Sequence, residues 1–564
     1  MPRRSKVSVR ATSDAVAPPA RLGERTRHRK TPVPARRRST PTWILTGLAA
    51  LFIVESVGSI RSHSATWDET HYFGVGKYLL ETGRWDVPDS ILHPPLSFYL
   101  SSLPLLSVDT DPALFMRPAP PTTDPGYLDF LGTADVPRGR ALLSSAANAN
   151  DTLLTESRLM MVGVAVMLGA FVWAWSDRRY GAGSGVLAAV LFAIDPNILA
   201  HSHLVTPDIC VTTFSFIAVY YLWRLLSESR SRHAWWGGVA LGLALLSKFP
   251  GLLMLPVCIA LVGLWRASGR PVRWRGCGIF VGVMTAVWLV GYRFDPTPYF
   301  QGLAFQREHA AGGEAGFLFG QVASHGWWYY YAAAFALKTP LALIALLGTS
   351  IVILVRHWNA RTLLEDSFLI LPSVAVLGFF SVEHQQSIGL RYILPIYPFL
   401  IVLASRAATL ATTKGLGRIF VGLTVAWAAA SSFWVFPHYL AYFNESIGGP
   451  SHGYQYLVDS NLDWGQELKD LKRYMDDHQI AKVYLSYFGT DAPERYGIVY
   501  AALPSFSLPR EAPQAPSPLP AGSWVAISAT MLQGVYIDAP VFREFRARTP
   551  TAVLGYSMFL YHLQ

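Results

Sequence analysis

Residues 158–200 read RLMMVGVAVMLGAFVWAWSDRRYGAGSGVLAAVLFAIDPNILA. Two apolar runs, 158–175 and 183–200, lie on either side of the polar triplet Asp177-Arg178-Arg179. A helix of about 20 apolar residues crosses the hydrocarbon core of a bilayer, so each run predicts a membrane span and the triplet predicts a loop. The same alternation of apolar runs and basic loops continues along most of the chain.

The composition of the 564-residue chain agrees with this interpretation. Hydrophobic residues make up 51% of it, charged residues make up 15%, and the mean hydropathy is +0.28. Because ordinary soluble domains carry about 25% charged residues, the composition excludes a soluble globular protein. We therefore expect a polytopic α-helical membrane protein.

Eleven spans are predicted from the apolar runs. They cover residues 43–60, 158–175, 183–200, 209–227, 235–250, 251–266, 277–293, 337–355, 367–382, 392–411 and 418–436. The loops predicted on the side of the N-terminal tail all carry basic residues: 177–179, Arg230/Arg232, Arg266/Arg270/Arg273/Arg275, Arg356/Arg361 and Lys414/Arg418. Cytoplasmic loops carry this excess of Lys and Arg, so the N-terminus is predicted to be cytoplasmic.

The N-terminal tail, residues 1–42, holds twelve Lys and Arg residues against Asp14 and Glu24. Its net charge equals that of the whole chain, +10, so the remainder is balanced. The tail is rich in Arg, Pro and Ser, which predicts disorder. The span that follows is too long for a cleaved signal peptide and is expected to be retained. The basic charge is thus a topology signal, and no nucleic-acid partner is expected.

Three regions are predicted. They are the tail 1–42, a transmembrane domain 43–436 with a large first outer loop 61–157, and an extracytoplasmic α/β domain 437–564. In the last region, Asp463 and Gln466 are typical of a helix start, and a helical apolar stripe follows. Strands are predicted at 483–487, 524–527 and 552–561, with the Pro-rich linker 508–520 between them.

Directly after the first span the chain reads Trp67-Asp68-Glu69-Thr70-His71-Tyr72, and Leu92-His93-Pro94-Pro95-Leu96 follows. A carboxylate held near a reacting hydroxyl can act as a general base. Carboxylates also begin helices commonly, because they interact favourably with the positive end of the helix dipole. The pair Asp68-Glu69 by itself leaves both interpretations open.

These motifs together resemble the family-39 glycosyltransferases of the GT-C fold, which include the protein O-mannosyltransferases and the aminoarabinose transferase of lipid A. Further segments that carry the resemblance are Arg158, 193–208, Gly326-Trp-Trp-Tyr-Tyr, Lys338-Thr339-Pro340 and Arg391-Tyr392-Ile-Leu-Pro. The blocks Tyr442-Phe-Asn-Glu, Gly448-Gly-Pro and Asp459-Ser-Asn-Leu-Asp-Trp-Gly are similar to bacterial phospholipid-carrier-dependent members. The resemblance spans roughly residues 43–500 and implies a bacterial plasma (inner) membrane protein.

The resemblance implies an inverting transfer of a sugar, mannose or similar, from a polyprenyl-phosphate carrier to a hydroxyl on the extracytoplasmic face. The acceptor is a protein, a lipid or a glycan. Asp68 matches the position of the base, Glu69 would position Asp68 or the sugar, and Asp208 is a second outer acid. After Thr206-Pro207, Asp208 could equally begin the next helix.

Cations must hold the departing lipid phosphate, because charge builds up on that leaving group. The candidates are Arg158, Lys248, Lys338 and Arg391, each at the outer end of a span. A guanidinium binds phosphate bidentately, which favours Arg391. Tyr392 is its neighbour, and His93 stands where some relatives carry a lysine. The alternative for each cation is snorkelling to the membrane interface without a function.

No metal site is assigned from the sequence. His201, His203, Glu383 and His384 could hold a metal ion, but their spacing matches no known template. A secondary transporter of a polar or anionic solute is the alternative function, and a membrane scaffold is a third. Transporters usually contain internal repeats, and the sequence shows none.

Overall fold

The computed structural model describes residues 40–86, 88–108, 135–413, 415–505, 508 and 512–564. Nearly all of the predicted tail 1–42 lies outside these residues. So do the middle of the outer loop 61–157, Lys414 and part of the linker 508–520.

Within the described residues, eight helices are long and apolar enough to cross a membrane, or ten if each of two bent pairs is one span. The eight are Thr42–Ser62, Asn148–Tyr180, Asp208–Glu228, Phe249–Ala267, Trp274–Gly291, Ala360–Val382, Leu390–Ala411 and Gly415–Val435. The bent pairs are Ala182–Ala193 with Pro196–Ser202, at 58°, and Tyr330–Lys338 with Leu341–Arg356, at 106°. The remaining predicted span, 235–250, corresponds to the helix Ser231–Leu245, which has 15 residues and is short for a bilayer. The predicted class, a polytopic helical membrane protein, is confirmed.

The α-helices described are α1 (Thr42–Ser62), α2 (Trp67–Tyr72), α3 (Val75–Thr82), α4 (Leu96–Ser102), α5 (Asp135–Leu143), α6 (Thr152–Tyr180), α7 (Ala182–Ala193), α8 (Pro196–Ser202), α9 (Asp208–Glu228), α10 (Ser231–Leu245), α11 (Met254–Ala267), α12 (Trp274–Gly291), α13 (Thr297–Gly312), α14 (Tyr330–Lys338), α15 (Leu341–Arg356), α16 (Ala360–Val382), α17 (Tyr397–Ser405), α18 (Ala408–Thr413), α19 (Gly415–Val435), α20 (Leu468–Asp477), α21 (Ala529–Leu532) and α22 (Pro540–Arg546). The 3₁₀ turns described are Pro88–Ile91, Pro104–Ser107, Ala146–Asp151, Phe249–Leu253, Leu390–Ile396, Tyr439–Ala441, Glu445–Ile447, Pro450–Gln455, Asp459–Asn461 and Pro493–Tyr496.

The bend between α7 and α8 has a local cause. Asp195 accepts hydrogen bonds from the backbone N–H groups of Asn197 and Ile198, both at 3.0 Å, and Pro196 occupies the first turn of α8. An Asp cap followed by proline begins a new helix because it satisfies the free N–H groups and presets the backbone. The new helix leads to Asp208 at the start of α9.

Loops that the sequence places on the cytoplasmic side lie together in the structure. Arg179, at the end of α6, lies 2.9 Å from Asp366 of α16, and Arg406, after α17, pairs with the same carboxylate. Arg270, between α11 and α12, lies 3.8 Å from Glu365. These helix ends therefore share one face of the bundle, as the alternation of basic loops predicts.

The C-terminal region contains a five-stranded sheet, in the order β4-β3-β5-β7-β6. Its strands are β3 (Val483–Ser486), β4 (Tyr500–Ala502), β5 (Trp524–Ser528), β6 (Ala552–Leu554) and β7 (Met558–His562), and a separate hairpin comprises β1 (Gly316–Leu318) and β2 (Gln321–Ala323). Strand β3 is parallel to β4 and β5, whereas β7 is antiparallel to β5 and β6. The apolar stripe of α20 packs on this sheet, with Leu468 and Leu471 buried against Leu485. The predicted small α/β region is confirmed, although its helix begins at Leu468 rather than near Asp463.

The C-terminal region packs on the end of the bundle opposite the shared basic face. Trp464 and Phe488 belong to the same buried cluster as Leu199 and Tyr397 of the membrane helices. The backbone N–H of Trp67 donates to the carbonyl of Trp464 at 2.8 Å, so the start of α2 is joined to the tail. The division into domains at residue 436 stays a prediction.

Candidate active site

Helix α2 turns the neighbouring residues Asp68 and Glu69 in different directions. Its first turn is capped by Glu69, whose Oε2 accepts from the Thr66 backbone N–H at 2.8 Å and from the Thr66 hydroxyl at 3.1 Å. Successive residues on a helix are separated by about 100° because there are 3.6 residues per turn. Asp68 consequently lies on another side of the helix, where it meets Arg391.

Glu69 forms a bidentate ion pair with Arg158 in the interior. Arg158 Nη2 lies 2.6 Å from Glu69 Oε2 and Nε lies 2.8 Å from Oε1, and both side chains are almost completely buried. The Val205 backbone N–H also donates to Glu69 Oε1, at 3.0 Å. Burial raises the pKa of Glu69, but Arg158 and these hydrogen bonds outweigh burial and hold it below the ordinary value.

Arg158 donates all of its N–H groups to protein atoms. Besides the two bonds to Glu69, Nη1 donates to the carbonyls of Ile60 and His63 at 3.3 and 3.2 Å, and Nη2 donates to that of Ser64 at 2.7 Å. A guanidinium has five N–H donors, and each has a partner here. The structure therefore leaves Arg158 no donor for a phosphate.

Asp68, Asp208, Lys248 and Arg391 form a second, connected group of charges. Arg391 Nη1 lies 2.6 Å from Asp68 Oδ2 and 3.8 Å from Asp208 Oδ2, and Lys248 Nζ lies 2.7 Å from Asp208 Oδ1. The Tyr72 hydroxyl lies 3.4 Å from Asp68 Oδ2. The two carboxylates and the two cations thus balance in charge. They come from the starts of α2 and α9, the segment after α10 and the 3₁₀ turn before α17.

Aromatic rings hold the two cations of this group. The Tyr392 ring centroid lies 4.7 Å from Lys248 Nζ and 5.3 Å from Arg391 Cζ. Arg391 Cζ also lies 4.4 Å from the centroid of Trp464. Cations within about 6 Å of a ring face are attracted to it, so these rings restrict where the guanidinium and the ammonium can point.

A cavity of about 390 Å³ opens beside this group. That volume is within the range of small-molecule sites, about 300–1,000 Å³. Five predicted site residues line it: Asp68, His93, Lys248, Arg391 and Tyr392. Lining residues that the sequence analysis did not select for the site include Trp67, His309, Glu314, Asp459, Trp464 and Tyr536.

Two of these unselected acids carry clear interactions. Glu314 Oε1 lies 2.6 Å from His309 Nε2, and this hydrogen bond raises the pKa of His309. Asp459 is buried and accepts from the Tyr536 hydroxyl at 2.6 Å, and burial raises its pKa to about 7. Asp459 and Trp464 lie within a motif that the sequence analysis quotes, whereas nothing in the sequence distinguishes His309 or Glu314.

The remaining predicted site residues do not line the cavity. Asp208 stands behind it, bound to Lys248, and Glu69 and Arg158 form their own buried pair. Lys338 donates from Nζ to the carbonyls of Leu440, at 2.9 Å, and Asn461. It thereby connects the end of α14 to the chain that follows the last span.

The histidines considered for a metal do not converge. His203 Nδ1 lies 2.7 Å from the Leu199 carbonyl, and His384 is exposed with Nδ1 at 2.9 Å from the Val382 carbonyl. No group of three possible ligands that includes His201, His203, Glu383 or His384 is found among the described residues.

Comparisons with known proteins found a family model and a curated relative that are similar to the chain. A family model described as dolichyl-phosphate-mannose-protein mannosyltransferase matches residues 151–290. The chain is 25% identical over 357 residues to undecaprenyl phosphate-α-4-amino-4-deoxy-L-arabinose arabinosyl transferase 1 of Pseudomonas fluorescens (strain Pf0-1), a match that covers 61% of the chain. The chain spans about half of that relative's length, 54%.

Solved structures with a similar arrangement include ArnT from Cupriavidus metallidurans bound to undecaprenyl phosphate. Its identity is 13% and its TM-score 0.47, with 92% of this chain and 98% of that chain covered. The apo oligosaccharyltransferase of Archaeoglobus fulgidus has 12% identity and a TM-score of 0.49, covering 90% and 73%. Likenesses at this level do not bear on activity.

The fold and the site define a polytopic helical membrane protein with a charged cavity at one end of its bundle. The resemblance to the GT-C glycosyltransferases of family 39 is confirmed by the family model and by the curated relative.

Proposed function

We propose that this protein transfers a sugar from a polyprenyl-phosphate carrier to a hydroxyl acceptor on the extracytoplasmic face of the membrane, with inversion. The observation that carries the proposal is the contact between Asp68 and Arg391 in the wall of the cavity. It puts a carboxylate for the acceptor and a guanidinium for the lipid phosphate beside the same space. The activities for which the family and the curated relative are named, both sugar transfers that involve a lipid phosphate, support the same reaction class.

In this proposal Asp68 is the general base. A base must lie within hydrogen-bond reach of the hydroxyl that it deprotonates, and Asp68 is the predicted acid that lines the cavity. Glu69 is saturated by Thr66, Arg158 and Val205 and is proposed to position Asp68 through α2. Asp208 orients Lys248 instead of acting on the acceptor.

Arg391 and Lys248 are proposed to hold the leaving lipid phosphate. Both line the cavity, and both are held by the ring of Tyr392. Preorganised cations stabilise the charge that develops on a leaving group without reorganising during the reaction. His93 lines the same cavity and would contact the donor, whereas Arg158 and Lys338 are proposed to have structural roles.

The secondary transporter that the sequence leaves open gains no support from the site. The charged residues of the candidate site come together at one end of the helices. Transporters usually bind their substrates near the middle of the bilayer. Mannose and other hexoses or pentoses, together with protein, lipid and glycan acceptors, are all compatible with a cavity of this size, so the assay must include several of each.

The test is sugar transfer in nanodiscs that hold the full chain, with radiolabelled undecaprenyl-phosphate pentoses and hexoses as donors. Asp68→Asn should lower the transfer rate by about 10²–10⁴-fold, the usual contribution of a general base. Asp295→Asn is the matched control, because Asp295 lies outside the cavity and accepts from the Thr297 N–H, a bond that asparagine can keep. Arg391→Lys should chiefly raise the apparent KM for the donor, since lysine cannot bind phosphate bidentately.

Full transfer activity in Asp68→Asn would remove the proposed base. A loss of the same size in Asp295→Asn would show that the assay reports folding rather than chemistry.

A further inference from the structure

Three side chains that could bind a metal ion meet at a place outside the proposed active site. His63 directly follows α1, His438 follows α19, and Glu467 directly precedes α20. Their ligand atoms all lie within 4.8 Å of one another, and this is the single group of its kind among the residues that the structure describes. The ends of the first and last spans and the helix of the C-terminal region therefore come together here.

Two of the three distances within this group match those of a tetrahedral metal site, and the third is at most 4.8 Å. His63 Nε2 lies 3.3 Å from His438 Nδ1, and His438 Nδ1 lies 3.3 Å from Glu467 Oε1. Zinc bonds to histidine nitrogen and carboxylate oxygen are about 2.0–2.2 Å long, and tetrahedral angles then put neighbouring ligand atoms about 3.3–3.5 Å apart. A metal ion fits between these atoms without a large movement of any of them.

Glu467 offers a second, independent indication of a ligand. The residue is 2% exposed, and neither carboxylate oxygen has a well-aligned hydrogen bond: its polar neighbours are His438, with Nδ1 3.3 Å from Oε1, and the side chain of Asp470. A buried carboxylate without hydrogen bonds is costly, and such groups are usually paired or coordinate a metal. His438 Nδ1 can donate to one carboxylate oxygen, whereas a bound divalent cation would neutralise the carboxylate charge directly.

The surroundings close the group in and orient its ligands. A Cβ atom on Gly555 would lie 2.1 Å from the Glu467 carboxyl carbon, so the turn between β6 and β7 lies directly on the carboxylate. Asp470 Oδ2 lies 3.6 Å from His438 Nε2, the ring nitrogen that does not face Glu467 Oε1. Ligating histidines commonly direct their other nitrogen to a carboxylate, which sets the tautomer.

We propose that His63, His438 and Glu467 bind one divalent transition-metal ion, zinc by the nature of its ligands, with Asp470 as the outer partner of His438. Mixed imidazole and carboxylate ligands are typical of zinc, whereas calcium and magnesium take oxygen ligands. The fourth position would be filled by water. The metal site lies outside the cavity proposed for sugar transfer, and metal binding can be measured without that activity.

The bound ion would order the chain that leads to the proposed base. The carbonyl of His63 accepts from Arg158, and Thr66, three residues further on, caps α2. Anchoring the His63 side chain to the last span and to the C-terminal region would hold this connection in place. His63, His438 and Glu467 are thus positioning residues with respect to Asp68.

The test is the metal content of the full chain, purified in nanodiscs with an affinity tag that contains no histidine, loaded with zinc and then dialysed. About one zinc ion per chain is expected in the wild type, and a loss of at least tenfold in His438→Ala and in Glu467→Gln. Glu467→Gln keeps the side-chain volume, so it separates loss of the ligand from loss of the fold. His478→Ala is the control, because His478 is an exposed histidine at the end of α20.

Cobalt gives a readout that a structural role alone would not change. Loaded with Co²⁺, the wild type should show the intense visible absorption of a tetrahedral centre, and His63→Ala should lose it. Asp68→Asn should keep both zinc and the cobalt spectrum, so failure of the proposed sugar transfer would leave this result unaffected. A wild type that is folded but binds no zinc, or a Glu467→Gln variant that binds it fully, would overturn the proposal and leave a hydrogen-bonded pair of histidines.

Discussion

Glu69→Gln should destabilise the protein more than any exposed substitution in the first outer loop. Glutamine has the same size but no charge, so the variant leaves the guanidinium of Arg158 buried beside a neutral amide. The Glu69 and Arg158 side chains are 0% and 1% exposed, which leaves almost no solvent to compensate. Breaking one side of a buried ion pair costs about 3–5 kcal/mol.

The matched control lies in the same loop. Glu81 pairs with Lys77 one helical turn away, at 2.5 Å; the Glu81 side chain is 44% exposed and the Lys77 side chain 4% exposed. Because solvent reaches the Glu81 carboxylate, Glu81→Gln should lower the unfolding temperature less than Glu69→Gln does. The difference between the two variants therefore measures burial rather than the mere presence of a salt bridge.

The assay is thermal unfolding in nanodiscs, followed by intrinsic tryptophan fluorescence. Equal melting temperatures for Glu69→Gln and Glu81→Gln would refute the reasoning.

Two further predictions concern α2 and its environment. Burial raises the pKa of Glu69, but Arg158 outweighs burial and holds the pKa below 4.5. The ion pair therefore stabilises the fold fully above about pH 4.5 and less as the pH falls towards the lowered pKa. The melting temperature of the wild type should drop on acidification more steeply than that of Glu69→Gln, and parallel curves would contradict this. Gly139→Ala should lower the melting temperature, because a Cβ atom on this residue of α5 would lie 1.9 Å from the carbonyl oxygen of Thr70 in α2. A Cβ atom on Gly183 meets nothing within 4 Å, so Gly183→Ala should leave the melting temperature unchanged. Equal effects of the two variants in the same unfolding assay would show that α5 does not pack against α2.

The membrane spans could be predicted from the sequence because the thickness of the bilayer fixes the length of a spanning helix. A span needs about 20 apolar residues, and each predicted span contains helix in the structure. The short helix Ser231–Leu245 and the bent pair at Tyr330–Lys338 depart from that rule.

The residues of the candidate site could be predicted from the sequence only in part. Helical geometry separates Asp68 from Glu69, and hydrogen-bonding capacity separates Arg391, which faces the cavity, from Arg158, which has no free donor. Neither difference can be seen in the sequence, where both acids follow Trp67 and both arginines stand near a span. His309 reaches the cavity from the end of α13 and Glu314 from the loop that follows, and neither belongs to a motif quoted for the site.

The amino-acid sequence alone determines that this chain is a membrane protein, where most of its helices run, and which family it resembles. These properties follow from hydropathy, loop charge and ordered motifs, which are local in the chain. The tertiary structure alone decides which charges share a cavity, which are neutralised in the interior, and that His63 meets His438, 375 residues away. The reason is physical: burial and pairing depend on what each side chain contacts across the bundle, and these contacts join segments far apart in sequence.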